Sequence, residues 1–353
     1  MAPSRRDFLK QLAAGAALAG FPMVTPGRVQ AQESDEAPKS LLVIGWDGAG
    51  LINVNKLLQE DRLPFLKHFV NHGGALVPLE LLGFTNTATS WAHVFTGLTY
   101  DQTSIMGNWR HDAKMNTIIH PIDTSPYCPQ FKSSTRVFAH LSSWIEAIPF
   151  EHTILKPIQE RTYKTGWFVS KRLLGDHDLS PFRDIALKVD SYFLHDPQKD
   201  VSRPAGEQKP DDAYLGNLSQ AALEFVTGPE PFFAFLHQNP DYYGHRHGEP
   251  DPRYLEEFIR CDKWLGILLR SIDRSKINII VIADHGFTPG KRSHNNAPDA
   301  WMATDLPVHP DYCQQSGQRA FGTMRDVAHT ILSHFRIPYE NMPLQMRGKS
   351  LLT

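Results

Sequence analysis

Three apolar runs stand out along the chain: Leu41-Leu42-Val43-Ile44-Gly45, Pro231-Phe232-Phe233-Ala234-Phe235-Leu236, and the β-branched run from Ile277 to Ala283, broken only by Asn278. None alternates with polar residues, so each reads as a strand buried on both faces, as in the interior of a parallel sheet. Ala75 to Leu82 is a fourth candidate strand. Elsewhere the apolar spacing becomes helical. Asn55 to Asn71 carries Leu57, Leu58, Leu63, Phe65, Leu66 and Phe69, with Pro64 marking a break and His72-Gly73-Gly74 a stop. Asp211 to Thr227, Tyr254 to Ile272 and Met324 to Phe335 also read as helices, and Gly348 to Leu352 as a docked tail. Strands alternating with helices predict an α/β fold, a mostly parallel central sheet with helices on both faces. Residues 109–208 break this rhythm and are rich in proline and aromatics. Within them Phe138 to Ile148 and Trp167 to Leu174 read as helices and His152 to Leu155 as a strand. The stretch is expected to hold a substrate-facing insertion in a domain spanning 40–353.

Composition narrows the partners. The 353 residues carry 36 Lys and Arg against 38 Asp and Glu, a net charge of -2, so no global field draws the chain to a nucleic-acid duplex or an anionic membrane. Any binding of phosphate must be local. Residues 1–31 have their own grammar: Ser4-Arg5-Arg6-Asp7-Phe8-Leu9-Lys10, a mildly apolar Leu12 to Val24, then Val29-Gln30-Ala31 as a small-residue cleavage site. This is the pattern of a twin-arginine signal peptide. It predicts recognition by the twin-arginine export machinery, a mature chain starting near Gln32, and a periplasmic or secreted destination. The apolar run is too short and too rich in Gly and Ala for stable membrane insertion. Cys128, Cys261 and Cys313 form neither a disulfide framework nor a metal-ligand spacing, and read as structural.

The chemistry gathers where the apolar runs stop. Ligands of open α/β sheets collect beyond the carboxyl ends of the strands. There Asp47 follows the first run, Asp241 and His245 the second, and Asp284 and His285 the third, while His294 sits on the loop returning after Gly290. Taken singly, each acid and histidine pair is as readily a solvated turn. Together they make three carboxylates and three imidazoles, the inventory of two three-ligand zinc sites with open positions. A hydroxyl-rich turn, Thr85-Asn86-Thr87-Ala88-Thr89-Ser90, leads into a short helix ending at Gly97. Its N–H groups and positive end favour an incoming anion beside whichever hydroxyl faces the site. Asn108 offers a carboxamide donor for a bound oxygen.

Asp47 in VIGWDG, Thr87 in TNTATSWAHVFTG, Asp241 and His245 in PDYYGHRHG, Asp284 and His285 in ADHG, and His294 resemble, in this order, the motif set of the alkaline phosphatase superfamily. The nearest branch is the type I phosphodiesterase/nucleotide pyrophosphatase group, and the resemblance runs from about Leu41 into the C-terminal DVAHTILSHF stretch. It implies an alkaline phosphatase-like three-layer sandwich. It also implies metal-dependent hydrolysis of a small phosphate-ester substrate, foremost a phosphodiester or pyrophosphate link, through a phospho-threonine intermediate at a two-zinc site. By this resemblance Thr87 is the nucleophile and completes one zinc site made by Asp47, Asp284 and His285. Asp241, His245 and His294 hold the other zinc. His247 rivals His294, because only nine positions separate His294 from His285. Asn108 stands where the branch places an asparagine that donates to a phosphoryl oxygen.

The chain departs from the pattern in three places. Ala88 replaces a phenylalanine on which nucleotide-cleaving relatives often stack the base, leaving Trp91, Trp109, Tyr242 or Tyr243 as platforms. Thr103-Ser104 replaces the usual His-Gly at the pocket rim, and the lack of a Cys/Ser-x-Pro-x-Arg segment argues against sulfatase chemistry. The alternatives are a phosphomonoesterase or phosphonate hydrolase on the same fold and, from another class, a zinc-stabilised binding protein without turnover.

Overall fold

Leu41 to Ile44 have no exposed surface and lie in strand β1 (Ser40–Trp46), in the interior of the sheet. The computed structural model describes residues 37–82, 85–103, 105, 110–112, 117–119, 148–170, 174, 180–194, 212–249, 251–294, 297, 300–316, 320–342 and 344–353. The strands after β1 are β2 (Ala75–Glu80), β3 (Arg110–Asp112), β4 (Thr117–Ile119), β5 (Lys164–Val169), β6 (Ser191–Leu194), β7 (Phe232–Gln238), β8 (Ile277–Ala283), β9 (Ala300–Thr304) and β10 (Gly322–Thr323). Eight form one sheet in the order β10-β2-β9-β8-β1-β7-β5-β6, while β3 and β4 make a separate antiparallel pair. Because β1 runs parallel to both β7 and β8, it has no edge and no wet face, which is why its sequence does not alternate.

The sheet is mostly parallel, as expected, with β9 the exception: it lies antiparallel to both β8 and β2. The Ile277 run therefore has one parallel and one antiparallel neighbour. Helices cover both faces: α1 (Leu51–Gln59), α2 (Pro64–Asn71), α3 (Thr87–Thr96), α4 (Tyr100–Thr103), α5 (Leu155–Glu160), α6 (Arg183–Lys188), α7 (Asp212–Val226), α8 (Asp241–His247), α9 (Pro252–Ser271) and α10 (Met324–His334). Successive strand residues point to opposite layers. Val43, Phe235 and Ile282 join Trp91 and Phe95 of α3 and Val327 and Ile331 of α10. Leu42, Ile44, Ala234 and Val281 join Leu66 of α2, Leu218 of α7 and Phe258 of α9. The layers also brace one another. Asp262 on α9 accepts from the N–H groups of Phe65 and Leu66 (3.1 and 2.7 Å), capping α2 from outside. Such a cap is worth roughly 1 kcal/mol.

Three expectations change. Asn55 to Asn71 is divided at Pro64 as expected, where α2 starts, but the first helix, α1, begins earlier, at Leu51, and ends at Gln59. Of the helix expected over Trp167 to Leu174, Trp167 to Val169 are strand instead: Trp167 and Phe168 lie in β5, paired with Phe235 and Leu236 of β7, and residues 171–173 lie outside the described residues. His152 to Leu155 is not a strand but the end of a 3-10 turn (Phe150–His152) leading into α5. The last two share a cause, since a short apolar run buried on all sides carries no periodicity to separate helix from strand. Phe138 to Ile148, apart from Ile148, lies outside the described residues, as do residues 1–31 and most of 109–208. The C-terminal tail docks as expected, with Leu351 buried and Leu352 bridged to Val308. No described helix is long and apolar enough to cross a membrane.

Candidate active site at the carboxyl edge of the sheet

Strand register builds the site. Gly45 of β1 faces His237 of β7 on one side and Ile282 of β8 on the other, so the three strands end level, with Asp47, Asp241 and Asp284 just beyond. Their loops interlock through the backbone. Asp241 N–H donates to the Asp47 carbonyl (2.8 Å), and Gly48 N–H donates to Asp284 Oδ1 (2.9 Å). Two glycines permit this approach. Gly48 has φ +75° and a Cβ there would lie 2.8 Å from Asp241 Cα, while a Cβ on Gly50 would lie 2.7 Å from Gly286 Cα.

Asp47, Asp284 and His285 are fully buried and Asp241 is 2% exposed. Ligand-type atoms come within 4.8 Å of one another in two groups, Asp47 with Asp284 and His285, and Asp241 with His285 and His294. His285 thus belongs to both. Its Nε2 lies 3.6 Å from Asp47 Oδ1 and 3.5 Å from Asp284 Oδ2, and its ring centre is 4.2 Å from that of His294. His245 stands at the rim, its side chain 47% exposed and its Nε2 3.4 Å from Asp241 Oδ1. His247 lies apart from these groups, stacked on Tyr243 (ring centres 6.2 Å). Burial first, then Arg253, lowers its pKa, and Arg246 and Arg292 act in the same sense against Asp251.

One wiring rule covers the three histidines. Nδ1 of His245 faces the Arg292 carbonyl (2.9 Å), Nδ1 of His285 the Gly286 carbonyl (3.1 Å), and Nδ1 of His294 the Thr85 carbonyl. A carbonyl only accepts, so Nδ1 carries the proton and Nε2 keeps its lone pair for a metal. In His245 and His285, Nε2 is the nitrogen turned toward the carboxylates. Burial pushes the His294 pKa down to about 3, with His285 adding to the effect and Asp241 opposing it, so this ring is neutral at pH 7. Three clustered, buried carboxylates repel one another, and neutral imidazoles add donors but no positive charge. Divalent cations fit that donor set.

Thr87 opens α3, and the Asn86 side chain caps the helix by accepting from Thr89 N–H (3.2 Å). Its hydroxyl is buried at the positive helix end, with Oγ1 3.4 Å from Asp47 Oδ1 and 3.3 Å from His285 Nε2. Sequence-distant groups thereby meet around one oxygen. Trp91 is not a substrate platform, since it is fully buried against Phe235 and His237, with ring centres 4.9 and 5.7 Å away. Tyr242 is 39% exposed and Tyr243 half-buried beside it. Asn108, Ser104 and Trp109 lie outside the described residues.

Sequence reasoning overlooked His237. It ends no motif, yet its Nε2 lies 3.0 Å from Asp47 Oδ2 and its Nδ1 2.9 Å from Ser170 Oγ. The available signal was a titratable residue directly following the apolar run Phe232 to Leu236, where strand neighbours leave it no solvent.

The family model for type I phosphodiesterase / nucleotide pyrophosphatase matches residues 41–309. Among curated proteins, the chain is 29% identical over 138 residues to a 2,3-bisphosphoglycerate-independent phosphoglycerate mutase of Rhodopseudomonas palustris, covering 39% of this chain and 26% of that protein. It is 27% identical over 169 residues to the protein of the same name from Metamycoplasma hominis, covering 47% and 30%. The chain thus spans less than a third of either relative. Among solved structures, murine ectonucleotide pyrophosphatase / phosphodiesterase 5 aligns at TM-score 0.46 and 18% identity, over 70% of this chain and 57% of that one. A phosphonoacetate hydrolase from Sinorhizobium meliloti, in complex with phosphonoformate, aligns at TM-score 0.46 and 14% identity, over 71% and 56%.

Proposed function

The chain belongs to the type I phosphodiesterase / nucleotide pyrophosphatase family, and on that premise we propose that it hydrolyses phosphate esters, foremost phosphodiesters or pyrophosphate links, with Thr87 as nucleophile. The observation that carries this reading is the meeting of Thr87 Oγ1 with Asp47 and His285, inside a buried group of carboxylates and Nδ1-anchored histidines. Two divalent ions, zinc by the chemistry of the donors, are the proposed cofactors. Asp47, Asp284 and His285 would hold one, and Asp241, His245 and His294 the other, with His285 in reach of both. When bound, these ions supply Lewis-acid charge that acidifies the hydroxyl and offsets charge on the phosphoryl group.

The protein supplies the rest. The α3 N-terminus receives the anion and holds Thr87 still. Thr87 Oγ1 would give its proton to water and form a bond to phosphorus as the ester oxygen leaves, and that oxygen would take a proton from water, so that no net proton is gained or lost. Water then cleaves the phospho-threonine, restoring the hydroxyl and releasing the phosphoryl product. Asn108, which lies outside the described residues, would by its place in the family's sequence pattern add a donor to a phosphoryl oxygen, worth about 2 to 4 kcal/mol for one well-placed group.

One feature favours a second reading, a substrate with a further anionic group as in a monoester or phosphonate. Arg246, Arg253 and Arg292 all bear on His247, and Arg292 belongs to the segment that anchors His245. Purified mature protein with zinc is expected to cleave bis-p-nitrophenyl phosphate faster than p-nitrophenyl phosphate or a phenylphosphonate ester. The reverse order supports the monoesterase or phosphonatase reading, and inertness toward all three with zinc bound supports a binding protein. Residues 1–31 fit export by the twin-arginine machinery to the periplasm or beyond. Arg5→Lys with Arg6→Lys is expected to retain full-length protein in the cytoplasmic fraction, and unaltered export would discard that route.

A further inference from the structure

Strands β1, β7 and β5 are consecutive neighbours in the sheet, and the carboxyl end of each contributes one polar group to a line of hydrogen bonds. Asp47 comes from β1, His237 from β7, and Ser170 from just past β5. All three are buried, at 0%, 0% and 1% exposure. Burying such groups is costly unless they bond to one another, and they do: His237 Nε2 lies 3.0 Å from Asp47 Oδ2, and Ser170 Oγ lies 2.9 Å from His237 Nδ1. A carboxylate only accepts, so Nε2 carries the proton and donates to Oδ2. In the neutral ring Nδ1 then accepts from the Ser170 hydroxyl.

This wiring is the reverse of that in the three ligand-type histidines. All three anchor Nδ1 on a carbonyl, and His245 and His285 turn Nε2 to the carboxylates, whereas both nitrogens of His237 are engaged and it has no lone pair to spare for a metal. Its ring is also held in place by Trp91 and Phe235, with centres 5.7 and 6.0 Å away. The other oxygen of Asp47 is the one facing the chemistry, with Oδ1 3.4 Å from Thr87 Oγ1 and 3.6 Å from His285 Nε2. An aspartate carboxylate turns easily about its last torsion, which has broad, roughly two-fold preferences. A charge-assisted bond to one oxygen removes that freedom.

We propose that His237, locked by Ser170, is a positioning residue that holds Asp47 Oδ2 and so presents Oδ1 alone to Thr87 and to the bound cation. The inference rests on the metal-dependent hydrolase reading given above. His237→Leu keeps the volume and loses the donor, His237→Gln keeps a side-chain N–H, and Ser170→Ala frees the ring. For each, zinc affinity is read by competition with a chromogenic chelator, and kcat and KM with bis-p-nitrophenyl phosphate, on protein whose circular dichroism matches wild type. His237→Leu is expected to weaken one of the two zinc affinities about 10- to 100-fold and to lower kcat in step, with KM little changed. His237→Gln should recover part of both losses. Ser170→Ala should cost a few-fold alone and nothing further on top of His237→Leu, because both act through one path.

Wild-type zinc affinity and kcat in His237→Leu would overturn the proposal. If that variant fails to fold, Ser170→Ala and His237→Gln decide, and wild-type zinc affinity in both overturns it equally. A wild-type protein that binds no zinc and turns over no ester removes the parent reading together with this one. A competent wild type matched by its variants removes this one alone.

Discussion

Thr87→Ala is expected to lower kcat for the best of the three esters by at least about 10³-fold, the scale on which removal of a covalent nucleophile is felt, while both cations stay bound. The fold should tolerate the change. Alanine is a good helix former, and the cap of α3 is the side chain of the preceding Asn86, which the substitution leaves alone. Thr87→Ser keeps the hydroxyl at the same helix end and should retain most of the activity. Acid quenching during turnover should trap phosphate on the wild-type peptide containing Thr87 and on no peptide of the alanine variant. Equal turnover by alanine variant and wild type would end the nucleophile assignment, whatever the fate of the metal sites.

The second large effect concerns His285, which stands in both ligand groups. His285→Ala is expected to lower kcat/KM by about 10² to 10³-fold, on the scale of losing a preorganised electrostatic group, and to reduce the metal content of the purified protein. His245→Ala removes a half-exposed imidazole at the rim and should cost distinctly less. Chelation should abolish activity in the wild type and lower its thermal midpoint, since a ligand at a hundred times its Kd contributes about 2.7 kcal/mol to the folded state. The buried aspartates would then face one another without the ions that offset their repulsion. A His285→Ala protein that carries two metals per chain and turns over normally would refute the shared role.

The sequence disclosed the carboxylates because each follows an apolar run whose strand character needs no tertiary information. Asp47, Asp241 and Asp284 could be placed along one edge from the general habit of parallel sheets. Their mutual approach could not, since it depends on register and on how closely Gly50 passes Gly286. The sequence places His285 in one trio only, whereas its ring stands in both ligand groups, a property of ring orientation rather than spacing. The end of β5, Trp167 to Val169, reads as the start of a helix because both of its faces are covered, and β9 goes unread because five residues of mixed size, Ala300 to Thr304, show no pattern before their antiparallel neighbours are known. His237 is half legible for a related reason: its place directly after the run Phe232 to Leu236 can be read locally, but its two partners come from adjacent strands.

Strand β1 is synthesised first and paired late. Phe232 N–H donates to Ser40 Oγ across 192 positions, and Gly48 N–H reaches Asp284 across 236. At a translation speed of about 5 to 20 residues per second, β1 waits roughly 10 to 40 s on the ribosome for its first neighbour. Through that interval an apolar segment with two bare edges is open to other nascent chains. Biogenesis is therefore expected to lean on a holding chaperone, and interruption of synthesis before β8 should leave insoluble fragments rather than a weakened enzyme.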